Sequence, residues 1–167
     1  MNTNETAKSN ELRRWLEFRL GTGEYAIPLL KVREVISIPD TTPIPRAPEH
    51  FLGLMNLRGQ VISVMDLRKK LKLPLTKDRS SEEAVIIVGI SGVHVGVVVD
   101  AITRVIAFSD SQIDEVPATG SQVNAEFIQG IFQKETSLVI LMNIGKILDV
   151  QDILEILNWR PRETLSM

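Results

Sequence analysis

The 167-residue sequence contains no cysteine, which excludes disulfide staples, thiolate metal ligands and a cysteine nucleophile. Histidine is nearly as scarce, with only His50 and His94. His50 follows a proline-rich segment and His94 alternates outward in an apolar strand, and lone histidines without partner ligands do not make a metal site. Aromatic residues are 5% of the chain, so Val, Ile and Leu must fill the core, and their β-branched share favours strands. The formal net charge of −2 comes from interspersed acids and bases, so there is no basic stripe for nucleic acid. No Gly-x-Ser-x-Gly elbow, Walker loop or dinucleotide fingerprint is present, and neither enzymatic activity nor a cofactor is expected. No apolar run approaches the ~18 to 20 residues of a membrane-spanning helix, and residues 1–10 lack the apolar stretch of a signal peptide. A soluble, cytoplasmic protein without direct membrane insertion is predicted.

What the chain does have is strand patterning punctuated by turns. Residues 1–13 are polar and predicted to be a disordered arm. Trp15 to Leu20 and Glu24 to Leu29 flank Gly21-Thr22-Gly23, a hairpin signal. In Val32 to Ile38, alternation puts Val32, Glu34, Ile36 and Ile38 on one face, and Arg33, Val35 and Ser37 on the other. Pro39, Pro43, Pro45 and Pro48 mark a stiff loop that no central strand accommodates. Phe51 to Asn56 and Gln60 to Met65 form a hairpin about Arg58-Gly59, where Asn56 and Gly59 are expected to take the positive φ angles. Asp66 should cap a short helix through Leu71. Residues 74–83 are polar and linker-like. Ala84 to Ile90 and Val93 to Val99, joined by Ser91-Gly92, are nearly continuous Val and Ile and should be the most buried strands. Further strands are predicted at Ile102 to Phe108, Phe127 to Phe132 and Leu138 to Met142, with a polar loop at Gln112 to Val123. Asn143 should cap a helix through Leu148, and residues 151–157 present a broad apolar helical face with Trp159 stapling the tail.

The two halves resemble each other at an offset drifting between about 70 and 77 residues, too long a period for a solenoid. Phe51-Leu52-Gly53 is echoed by Phe127-Ile128-Gln129-Gly130, and Met65 to Leu71 by Met142 to Leu148. The boundaries expected are a first unit at about 14–73, the linker 74–83, a second unit at about 84–150 with some strand sharing, and a helical tail at 151–167. Each half is near the lower size limit for independent stability, so a shared core is expected.

Few residues stand out chemically. Asp66 and Asp100 each follow an apolar strand, but without a companion acid or base a capping role is expected of both. Glu34 has two readings, a solvated rim carboxylate paired with Arg58 or a partner-contacting charge within an apolar patch. Arg58, at the tip of the hairpin, either contacts a partner or braces Glu34 through its planar fork, with bracing favoured.

The motifs Glu24-Tyr25-Ala-Ile-Pro-Leu, Lys31-Val-Arg-Glu-Val35, Pro48…Phe51-Leu-Gly53, Asn56-Leu-Arg-Gly59, Val64-Met-Asp-Leu-Arg68, Val95-Gly-Val-Val-Val-Asp100 and Leu141 to Leu148 occur in one order. From about Trp15 to about Leu148 the sequence resembles the CheW family of chemotaxis coupling proteins. The resemblance implies a mostly β fold of two SH3-like five-stranded barrels sharing a hydrophobic core, with short helices and a C-terminal helix. It also implies a non-catalytic adaptor between chemoreceptors and the histidine kinase CheA. A CheW-like adaptor for another chemosensory kinase pathway, such as twitching or gliding, is the alternative. The implied partners are the cytoplasmic tip of the receptors and the regulatory domain of the kinase, in arrays beneath the membrane. By resemblance, Val32, Glu34, Ile36, Asn56, Arg58 and Gly59 face the receptor. Thr41, Thr42, Ile44, Ile113, Pro117 and Thr119 face the kinase. The chain departs from the family in the acidic loop after Ile113 and in Asn143, where many members carry Asp.

Overall fold

The computed structural model describes residues 10–74, 81–116 and 125–148. Most of the predicted N-terminal arm, the middle of the linker, Pro117, Thr119, the tail helix and Trp159 lie outside the described residues. Eleven strands and two short helices follow in order: β1 (Leu12–Leu20), β2 (Gly23–Pro28), β3 (Val32–Ser37), β4 (Phe51–Leu57), β5 (Gln60–Asp66), α1 (Leu67–Lys70), β6 (Ala84–Ile90), β7 (Val93–Val99), β8 (Ala101–Ser109), β9 (Ile113–Asp114), β10 (Ile128–Gln133), β11 (Leu138–Met142) and α2 (Ile144–Ile147). The first strand begins at Leu12, inside the stretch expected to be an unstructured arm. The mostly β architecture is as the patterning predicted, and β6 and β7 coincide with the two Val/Ile runs.

The strands form two sheets, one ordered β8-β1-β2-β11-β10-β9 and the other β3-β6-β7-β5-β4. The sheets do not follow a division at 74–83. Sharing goes further than expected, because each half gives its first hairpin to the sheet of the other. Connection length explains this. β2 runs into β3 through Leu29–Lys31, and β7 into β8 through Asp100 alone. Had β1 and β2 occupied in their own half the slots that β6 and β7 fill, β2 would lie parallel to β3 with β1 between them. Such a crossover needs about a dozen residues, so the chain must leave one sheet and enter the other.

The duplication is exact in register. Val35 pairs with Ile86, and Val105 with Leu16, each position moved by 70 residues in opposite directions. Met55 pairs with Ile62, and Phe132 with Val139, each moved by 77. Even the bulges recur, between Val32 and Glu34 opposite Ile87–Val88, and between Ile102 and Arg104 opposite Glu17–Phe18. The isolated bridge Thr42–Leu54 stands where β9 pairs with β10 in the other sheet.

Three apolar clusters follow from this layout. The largest lies between the sheets and collects Phe18, Leu20, Ile27, Met65, Ile86, Val97, Ile144 and Ile147 among others. Each sheet also holds its own cluster, Met55, Ile62, Val64, Val85, Ile87 and Val98 in the five-stranded sheet, and Trp15, Ala26, Phe108, Val139 and Leu141 in the six-stranded one. Central strands are therefore buried on both faces, which is why β6 and β7 read as continuous Val and Ile. Asp66 accepts from the backbone N–H groups of Arg68 and Lys69, and Asn143 from that of Lys146, so both predicted caps form.

Candidate partner-docking site

The Arg58-Gly59 turn sits where β4 and β5 meet, with Arg58 at φ 52° and Gly59 at φ 86°. Left-handed geometry at both central residues is that of a tight type I′ hairpin. Asn56 does not take a positive φ, contrary to the reading from sequence. Its side-chain Oδ1 instead accepts from the Gly59 N–H at 2.9 Å, closing the turn from below.

Arg58 carries the more informative contact. Its guanidinium donates to both carboxylate oxygens of Glu34, at 3.0 and 2.7 Å, a bidentate fork. Glu34 is on β3 at one edge of the five-stranded sheet, and Arg58 tips the β4–β5 hairpin at the other. The pair therefore draws the two edges of a curled sheet together. The side chain of Glu34 is 26% exposed and that of Arg58 76%, so the carboxylate is half sheltered and the cation lies on the rim. Bracing of Glu34 by Arg58, the expected arrangement, is what the geometry shows.

The other residues named for the receptor side divide. Val32 packs against the cluster between the sheets and Ile36 against the cluster inside the five-stranded sheet. The bulge between Val32 and Glu34 breaks the expected alternation, so Val32 faces the side opposite to Glu34 and Ile36, and the two apolar side chains do not form one open patch. Apolar side chains that do face out in this region include Leu30, 93% exposed, Val61, 49%, Val35, 42%, and Ile38, 37%. Leu30 lies on the 3₁₀ turn Leu29–Lys31 that carries the chain from β2 to β3. Sequence reasoning missed it because Pro28-Leu29-Leu30 reads as the end of a buried strand, and nothing in it says which leucine turns outward.

Of the residues named for the kinase, Thr42 and Ile44 join Pro43, Pro45, Leu54, Met55, Asn56 and Val61 around an apolar cavity of about 310 Å³. Thr41 is half-buried just outside it. Thr42 is fixed by two backbone hydrogen bonds to Leu54, at 2.8 and 2.9 Å. Gly53 makes this possible. At φ 142° it is in a region only glycine occupies readily, and a Cβ there would collide with the Thr42 carbonyl. The proline loop is thus held against β4. Asn56 serves both surfaces, closing the Arg58 turn and lining the cavity. Ile113, on the other sheet, pairs with Phe132 and packs into the Trp15–Phe108 cluster. Thr42 and Ile113 are thus on equivalent edges of the two sheets. Neither Pro117 nor Thr119 is among the described residues.

Asp100 does not cap a helix. It pairs with the buried Arg68 at 3.0 Å and accepts from the Gly21 N–H. His94 is exposed, as alternation predicted. Among the described residues no three His, Asp or Glu side chains cluster as metal ligands, and no helix is long and apolar enough to cross a membrane. Burial pushes the Tyr25 hydroxyl above its ordinary value, but Tyr25 is on β2 of the other sheet.

The profile of the CheW-like domain matches residues 14–152. The chain belongs to the CheW family. Among its curated relatives, the chemotaxis protein CheW of Treponema pallidum is 29% identical over 155 residues, covering 91% of each chain. CheW of Helicobacter pylori is 31% identical over 140 residues, 84% of each. Among solved structures, the scaffolding protein CheW of Thermoanaerobacter tengcongensis superposes with a TM-score of 0.76 at 28% identity, covering 85% of this chain and 96% of that one. The two-sheet layout with exchanged hairpins is thus set in a CheW-like fold, and the Arg58 turn and the proline-loop cavity are features of a CheW-like surface.

Proposed function

We propose that this CheW-like chain is a non-catalytic adaptor that couples chemoreceptors to a CheA-type histidine kinase. The observation that carries the receptor side is the bidentate Arg58–Glu34 pair on the rim of the five-stranded sheet. It presents a directed, partly sheltered carboxylate on one face of β3, with Val35 exposed on the other face and Leu30 exposed on the turn before the strand, and an amphipathic helical hairpin recognises that kind of mixed edge. Polar groups of this sort set register and partner choice more than affinity. The kinase side has two parts, the β9–β10 edge that carries Ile113 and the apolar cavity of the proline loop, a preformed concave site suited to one anchoring apolar side chain. An adaptor needs two such surfaces that bind at once, and modest single contacts become strong when multiplied in an array.

The test measures binding of a receptor cytoplasmic hairpin and of a kinase regulatory domain by calorimetry. Arg58→Ala should weaken receptor binding roughly tenfold, about 1.4 kcal/mol, with kinase binding and circular dichroism unchanged. Equal receptor affinity of the folded variant and the parent rules out this site. Introducing Ile44→Asp into the cavity should do the converse and weaken only the kinase complex. If the parent chain binds a kinase of a motility or other output pathway and not a chemotaxis kinase, the alternative pathway stands.

A further inference from the structure

The exact internal symmetry allows each side chain to be compared with its counterpart, and one place stands apart. In the five-stranded sheet, Ile87 lies opposite Glu34 on β3, and Leu57 ends β4 beneath the Arg58 turn. Their counterparts in the six-stranded sheet are Glu17, opposite Arg104 on β8, and Lys134 after β10. Glu17 is fully buried. Arg104 Nε donates to its Oε2 at 3.0 Å, and Lys134 Nζ donates to its Oε1. A buried carboxylate and two cations thus stand where the other sheet has an apolar pair and a rim ion pair.

Stability does not account for the substitution. The backbone register is identical, and the first sheet shows that Ile and Leu fill this position. Exchanging a buried ion cluster for apolar residues of similar volume is commonly neutral or stabilising. What charges add over methyl groups is direction. Both carboxylate oxygens are committed, one to the edge strand β8 and one to the end of β10, where Lys134 also lies 3.8 Å from Glu24 of β2, so the charges tie the open end of the hairpin β10–β11 to β1, β2 and β8 in addition to its backbone register. β10 in turn carries β9, whose Ile113 and Asp114 pair with Phe132 and Ile131.

We propose that Glu17 is a positioning residue for the second docking edge: through Lys134 and Arg104 it fixes the β10–β11 hairpin and thereby the β9–β10 edge that meets the kinase. This rests on the adaptor reading above for the identity of the partner, though not for the mechanics. The rim pair Glu34–Arg58 orients one edge from outside, where a partner can reach it. Glu17 orients the other from within, where none can.

The experiment transplants the apolar pair of the first sheet into the full-length chain as Glu17→Ile with Lys134→Leu. Hydrogen exchange should accelerate at the Ile113, Asp114 and Phe132 amides by about tenfold or more, as expected for local loosening, and stay unchanged at Val35 and Ile36. Kinase regulatory-domain affinity should fall about tenfold while receptor-hairpin affinity holds, a loss of some 1.4 kcal/mol. A folded variant with unchanged exchange at β9–β10, or one in which both sheets loosen equally, overturns the proposal. Should the double variant not fold, Arg104→Gln, at a side chain 57% exposed, decides by the same exchange measurement, with a smaller acceleration expected and none overturning. If the parent binds neither partner, the adaptor reading fails on its own, and the exchange data still judge the positioning role.

Discussion

The two crossings between the sheets occupy equivalent places and are built from opposite materials. At the β7–β8 crossing, Asp100 is held by the buried Arg68 at 3.0 Å, its backbone N–H bonds the Arg19 carbonyl at 3.0 Å, and its side chain accepts from the Gly21 N–H. Arg68 also donates to the Pro74 carbonyl at 2.9 Å. At the β2–β3 crossing, the counterpart of Asp100 is Leu30 and that of Arg68 is Gly145. There Leu30 is almost fully exposed, and among the described residues the neighbour a Cβ at Gly145 would meet is Asn143 Oδ1, at an ordinary 3.5 Å. One crossing is locked by a charge network and the other is left bare beside Val32 and Glu34. Register alone suffices to carry the chain across, so the lock is an addition at one end, and the bare end is the one that borders the proposed receptor surface.

This contrast can be broken from the locked side first. Arg68→Ala leaves Asp100 buried without its cation, and the loss should be about 3–5 kcal/mol, a drop in thermal midpoint on the order of 10 °C for a chain of this size. Calorimetry in matched buffers reads it. Next comes Gly53→Ala, which forces a side chain onto the Thr42 carbonyl at a φ of 142°. A cost of about 1–3 kcal/mol is expected, together with weaker kinase-domain binding as the proline loop lifts. Its counterpart Gly130→Ala meets the Ile113 side chain and, at 3.0 Å, the Asp114 carbonyl, but carries no positive φ, so denaturant titration should show a smaller loss of about 1 kcal/mol. The smallest effect belongs to the bare crossing. Leu30→Ser should change stability by less than about 0.5 kcal/mol while weakening receptor-hairpin binding; unchanged binding would mean that the exposed leucine is incidental.

Much of the fold was legible because strand periodicity and turn chemistry are local. The Val/Ile runs gave β6 and β7 their ends, and Asp66 and Asn143 marked their helices. Alternation placed Glu34 on the same face of β3 as Ile36, which holds, and as Val32, which the bulge undoes. Partnership was not legible in the same way. Alternation says which face a residue takes but not which strand lies beside it, so the exchange of hairpins went unread, although the short Leu29–Lys31 and Asp100 connections carried the signal. Asn56 misled for a related reason. Its tolerance of positive φ is a propensity, and Arg58 took that conformation while Asn56 supplied the hydrogen bond. The buried Glu17 had no sequence mark either, since Trp15-Leu16-Glu17-Phe18 reads as an ordinary strand with a solvated glutamate. Only its partners, 87 and 117 residues away, explain it.

The exchanged hairpins also determine what a cut chain would be. A break between Pro74 and Ser81 severs the sequence at the boundary of its repeat, yet each fragment keeps strands that belong to the other fragment's sheet. On a denaturing gel the nicked protein would be two bands. In solution it would remain one particle, each piece serving as the missing half of the other's core, so the repeat is a unit of sequence and not of assembly.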